Sequence, residues 1–204
     1  MIHKIHISPS SGGVLNGRSH IFIVRNKDMA DLWLDQSLTV TADTVYTNIV
    51  GGEQTLVGKD VEVTLPEIKN LSMDSTAMGD IKIAKVARFE PMEMVIHHIG
   101  VDMGLADMVA QEAQEIEIRW VEQIMKQDGS LENIGCKAFI NGHPQVAAPK
   151  FTVKPGEPVD VEIPYNVTGY RLIKDGELLW DINRLNQKCI IKNVDYFATL
   201  RSMI

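Results

Sequence analysis

The stretch IEIRWVEQIMKQDGSLENIGCKAFI, residues 116–140, decides the fold. In its first half Ile116, Ile118, Trp120 and Ile124 share one parity, while Glu117, Arg119 and Gln123 share the other. Successive side chains of a strand point to opposite faces, so this alternation describes a strand with one apolar and one wetted face. Asp128–Gly129 follows, and glycine accepts the positive φ of a tight turn. Beyond it Ile134, Cys136, Ala138 and Ile140 alternate again. The stretch predicts an antiparallel hairpin, with Asn141–Gly142 as a second turn directly after it.

The same grammar recurs on both sides. In PVDVEIPY, Val159, Val161, Ile163 and Tyr165 point one way and Asp160 and Glu162 the other. VTGYRLIKDGELLWDIN, 167–183, reads as strand, Asp175–Gly176 turn, strand. VGKDVEVTLPEI reads as one strand with Val61, Val63 and Leu65 on a common side, ending at Pro66. KNLSMDSTAMGD, 69–80, is small, polar and Met-containing, which reads as a long loop. FEPMEMVIHHI resumes extended structure. Two stretches have helical spacing: 104–114 (GLADMVAQEAQ), with Leu105, Met108, Val109 and Ala113, and 26–36 (NKDMADLWLDQ), with Met29, Leu32 and Trp33. The fold class is therefore mainly β (α+β): an antiparallel β-barrel or sandwich with one or two flanking helices.

Composition sets the function classes. The chain has 204 residues, 45% hydrophobic and 23% charged, with no run near the ~20 apolar residues of a membrane helix. Its start, MIHKIHISPSSGG, lacks the apolar core of a secretory signal, which gives the cytoplasm of the producing cell as the expected compartment. Cys136 and Cys189 are too few for a disulfide scaffold and read as small core residues. A net charge of −7 argues against a surface that grips nucleic acid, although an acidic wall suits a conduit along which DNA slides.

Motifs that carry chemistry fail on inspection. GGEQTLVGK places five residues between Gly52 and Gly58, and Asp60 follows Lys59 where a phosphate loop needs Ser or Thr. His97 and His98 are neighbours, so on a strand they face opposite ways, and the spacing of His3 and His6 suits no common zinc site. His20 and His143 stand alone. No Gly-x-Ser-x-Gly or His-Glu-x-x-His occurs. Glu112, Glu115, Glu117 and Asp181 read as the solvated face of strands, and Trp33, Trp120 and Trp180 as core or interface anchors. The glycosylation patterns at Asn70 and Asn166 carry no weight without a secretory signal. The expectation is a protein with no catalytic residues, cofactor or metal.

Three segments, in order, resemble the major tail tube protein of contractile-tailed phages: VGKDVEVTLPEIKNL (57–71), FEPMEMVIHHIGVDMGLADMVA (89–110) and YRLIKDGELLWDINRLNQKCIIKNVD (170–195). The likeness covers residues 45–204 and leaves 1–44 as an N-terminal extension. It extends to phage-tail-like bacteriocin and type VI secretion tube proteins. The resemblance implies six-membered rings that stack into a hollow tube, assembled in the bacterial host cytoplasm and located in the virion. It implies that the chain partners itself, a sheath, a baseplate and a tape-measure protein, while DNA passes through the lumen without specific binding. It places Ser72, Met73, Asp74, Ser75, Thr76, Ala77, Met78 and Gly79 at the contact between rings. The overall acidity makes an acidic lumen the expectation. Two other readings compete: the same subunit in a headless particle, and a monomeric β-sandwich that binds carbohydrate or protein.

Overall fold

The computed structural model describes residues 36–49, 53–75, 81–126 and 128–203. In chain order the strands are β1 (Gln36–Ile49), β2 (Thr55–Lys59), β3 (Val63–Thr64), β4 (Asn70–Ser75), β5 (Ile81–Phe89) and β6 (Met92–Ile99). After helix α1 (Met103–Met108) come β7 (Gln114–Met125), β8 (Leu131–Pro144), β9 (Asp160–Lys174), β10 (Glu177–Asn183), β11 (Lys188–Ile191) and β12 (Val194–Asp195), then α2 (Ala198–Arg201).

The hairpin of residues 116–140 forms as β7 and β8, paired from Gln114↔Gly142 to Met125↔Leu131. β1 lies antiparallel on the other edge of β7, and β2 on the far edge of β1. β9 is the branch point. One of its edges holds β8, whereas the other holds β6 along Asp160–Val167 and β10 along Gly169–Lys174. β3 extends the β6 branch, and β11 and β12 extend the β10 branch. β4 and β5 form a separate two-stranded sheet.

The apolar parity of each strand explains the curl. Val45, Ile116, Ile118, Ala138 and Ile140 form one core with Val161, Ile163, Tyr165, Met92, Met94 and Ile96. A flat sheet would leave half of these in water. Rolling the sheet brings them together, and each large side chain so buried contributes roughly 1.5–3 kcal/mol. The chain itself joins the two ends of the roll. β2 ends at Lys59, Asp60 takes φ 53°, and three residues later, at Val63, β3 starts at the opposite end of the sheet. The Asp60 amide donates to Asp43 O at 3.2 Å, and the His97 amide to Glu62 O at 2.9 Å, which staples this corner to both ends. β2 and β3 do not pair, so the roll keeps a seam and is not a closed barrel.

Several expectations are corrected. VGKDVEVTLPEI is two short strands broken at Asp60, because that corner must carry the chain across the seam. Ser72–Ser75 belong to β4 and are not loop, since Met73 and Ser75 pair with Ile83 and Ile81. Asn141–Gly142 is not a turn: β8 runs through it, with a bulge in its pairing to β9. The glycine serves close approach there, because a Cβ on Gly142 would lie 2.6 Å from the Asn166 carbonyl oxygen.

The expected helix 104–114 stops at Met108. The Gln114 side chain ends it by donating to the carbonyls of Asp107, Met108 and Ala110 at 3.1, 3.4 and 2.8 Å, where amides of a further turn would have bonded. At its start Asp102 caps α1 by accepting from the Leu105 amide at 2.9 Å, and His98 Nε2 lies 3.1 Å from the same carboxylate oxygen. Of the expected helix 26–36, residues 26–35 lie outside the described residues, and Gln36 opens β1.

Candidate assembly surfaces

The outward face of the broad sheet carries several ion pairs. Glu117 is buried on this face and accepts from Arg119 Nε and from Gln54 Nε2, each at 2.6 Å. The Arg119 hydrogen bond holds its carboxyl below the usual range, with Gln54 adding to the effect and burial opposing it. Arg119 also lies over the Tyr46 ring at 4.7 Å. Next to this group, Asp181 is 7% exposed and sits between Lys188 Nζ at 2.6 Å and Arg171 Nε at 3.3 Å. The expectation that Glu117 and Asp181 are solvated is therefore corrected: each is buried because a fixed cation replaces its water. Around β7, β8 and β10 this face carries Glu115, Glu117 and Asp181 beside Arg119, Lys137, Arg171 and Lys188, and along β6 and β9 it carries Glu93, Asp160 and Glu162.

The β4–β5 hairpin differs in character. Leu71 and Met73 on β4 and Ile83 on β5 are all exposed. Lys82, Lys85 and Arg88 make β5 basic, and none of the three forms an ion pair among the described residues. A two-stranded sheet is marginal alone, and one with a bare apolar face gains stability from a partner. Of the expected ring-contact residues, Ser72, Met73, Asp74 and Ser75 lie on β4, while Thr76, Ala77, Met78 and Gly79 lie outside the described residues. Ile83, Lys82 and Lys85 were missed by the sequence reading. Their signal was the alternation IKIAK, which is too short to stand out beside a polar stretch.

Two apolar concavities complete the surface. One, of about 550 Å³, lies at the hairpin base among Ile68, Phe89, Trp180, Ile182, Ile191 and Tyr196. The other, of about 450 Å³, is the mouth of the seam, lined by Val40, Val61, Val63, Leu65, Ile118 and Trp120, with Asp43 and Glu122 at its edge. Burial pushes the Asp43 carboxyl up and the neighbouring Asp60 charge adds to this, while the Val61 amide, 3.3 Å away, works the other way. Cys136 and Cys189 are both free and buried, and burial raises the Cys136 thiol to about 11. Among the described residues no three His, Cys, Asp or Glu side chains gather to hold a metal ion, and no helix is long and apolar enough to cross a membrane.

A rolled sheet with a built-in seam, ion pairs on its outer face and a hairpin with exposed apolar side chains has the build of a structural β-subunit. The model of the family described as Phage tail tube protein FII matches residues 44–204, and the chain belongs to that family. It is a structural subunit of a phage tail tube, a component of the virion tail that assembles with copies of itself. No curated protein matches the chain. The match begins at residue 44, inside β1, so residues 36–43 of that strand precede it.

Proposed function

We propose that this chain closes into six-membered rings that stack as the inner tube of a contractile tail, through which DNA passes to the host. A heterologous contact repeated around an axis closes a ring, and a second contact along that axis builds an open-ended stack. The β4–β5 hairpin carries this reading, because it is a basic, apolar-faced element whose Leu71, Met73 and Ile83 stay exposed among the described residues. Residues 72–79, of which Ser72–Ser75 lie on β4, make the contact from ring to ring. The sheath surrounds the tube, the baseplate starts it, and a tape-measure protein fills it before DNA does.

The polar face of the broad sheet lines the conduit in this reading. Arg119 is held by Glu117, and Arg171 and Lys188 share Asp181, so passing phosphates meet cations whose charge is partly offset. The subunit acts by geometry and supplies no catalytic group. Negative-stain electron microscopy of the purified full-length protein, with sizing chromatography, tests the proposal. Rings of six or striated hollow rods are expected. A monomer at every concentration, or rings of another order, refutes it.

A further inference from the structure

The seam of the rolled sheet and the β4–β5 hairpin are complementary in three independent ways. The first is polarity. The seam mouth exposes Val40, Val61, Val63 and Leu65 around about 450 Å³, which is room for several large aliphatic side chains. The hairpin presents Leu71, Met73 and Ile83, and both Met73 and Ile83 are 47% exposed in their own chain. The second is charge. Asp43 lines the seam beside Glu122, which Lys174 of its own chain holds at 2.9 Å, and the exposed Asp60 and Glu62 flank the corner beside it. The hairpin brings Lys82, Lys85 and Arg88 against a single described carboxylate, Asp74.

The third is connectivity. Leu65 lines the seam and β4 begins at Asn70, so each copy carries the hairpin and the seam side by side. A copy that offers its hairpin to the seam of the next, and receives another in turn, makes a contact that repeats without closing on itself. The groove at the hairpin base is a poorer receptor for a basic element, because no carboxylate lines it.

We infer that the seam mouth formed by Val40, Val61, Val63 and Leu65, with its carboxylates Asp43, Asp60 and Glu62, receives the β4–β5 hairpin of a second copy of this chain. The inference rests on the reading of the hairpin as the stacking element and adds where it lands. Apolar contact between Met73, Ile83 and the seam supplies the attraction, and the lysines set the direction of approach.

Cysteine cross-linking tests it with the full-length chain. An Ile83→Cys variant is mixed with a Val40→Cys variant under mild oxidation, with Ile191→Cys as the competing acceptor in a parallel mixture. The native thiols do not interfere, because Cys136 and Cys189 are 2% and 3% exposed. The expected result is a disulfide between Ile83→Cys and Val40→Cys. It is lost when Lys82→Glu and Lys85→Glu are added to the donor, and regained when Asp60→Lys and Glu62→Lys are added to the acceptor. A cross-link to Ile191→Cys alone overturns the inference and leaves the hairpin as the stacking element. Absence of any cross-link, with tubes that still form in the Lys82→Glu/Lys85→Glu variant, overturns both.

Discussion

Gln114→Ala removes the polar joint between α1 and the sheet in one truncation. Gln114 is fully buried. Its two Nε2 protons are shared among three carbonyls, and its Oε1 accepts from Thr47 Oγ1 at 3.1 Å, with Tyr165 OH 3.4 Å away. Truncation spares Tyr165, which still donates to Met108 O at 2.6 Å, but it strips the Thr47 hydroxyl and the Ala110 carbonyl. A buried hydroxyl left without a partner costs about 2 kcal/mol, and a half-buried carbonyl about 1 kcal/mol. The cavity adds about 1 kcal/mol. The sum, about 4 kcal/mol, is a large share of the roughly 5–15 kcal/mol of a typical domain. It corresponds to a fall of roughly 10 °C in Tm at this size.

Urea unfolding of wild type and variant at pH 7, followed by tryptophan fluorescence, reads the loss. A second substitution sharpens the test. Gln114→Glu keeps the shape but points an acceptor at three carbonyls, and burial raises the pKa of the introduced carboxyl in the folded state. The folded form then binds more protons than the unfolded one, so this variant gains stability as the pH falls from 7 towards 4. A Gln114→Ala loss below about 1 kcal/mol, or a Gln114→Glu variant that does not recover in acid, refutes the reasoning.

Three further outcomes are expected. The Glu117 carboxyl is held low by Arg119 and Gln54, so its stabilisation is complete above the unfolded value of about 4.3 and is lost as pH falls through the lower folded value; Glu117→Gln therefore flattens the acid limb of a urea-midpoint profile. Cys136 and Cys189, both raised by burial, stay unreactive towards a thiol reagent at pH 8 in the native protein and titrate as two thiols in urea. Gly142→Ala forces its Cβ against the Asn166 backbone and lowers stability by about 2 kcal/mol, read by thermal unfolding, whereas Gly135→Ala, with open space around it, does not.

Legibility in the sequence followed the strength of the local signal. β7, β8 and β9 were readable because each alternates over many residues. Asp128–Gly129 parts β7 from β8, and β10 was readable because the Asp175–Gly176 turn sets it off from β9. At the second turn the structure shows φ 49° and 75°, a pair that glycine and aspartate tolerate. β1 was not recognised, because QSLTVTADTVYTNI mixes Thr with Val, and its buried Val45 and Thr47 do not announce a face. The helix ran too long on paper because 109–114 has good propensity, and only the tertiary position of Gln114 shows what stops it. Asn141–Gly142 has the composition of a turn, yet long-range pairing with β9 outweighed it. The hairpin hid inside a polar segment, and its role rests on what its exposed side chains meet in another chain, which no local pattern encodes.

The fork at β9 bears on the order in which the molecule comes into being. β6 has a partner along its length only once Asp160–Val167 exist, and β8 is bridged to β10 only through the same strand. A ribosome making this chain has therefore finished most of it before the roll can seal, and the inner faces of β6, β7 and β8 wait until then with no cover from β9. Contacts this distant in sequence form slowly. The nascent subunit folds late and all at once, and a product truncated before Lys174 has no smaller domain to fall back on.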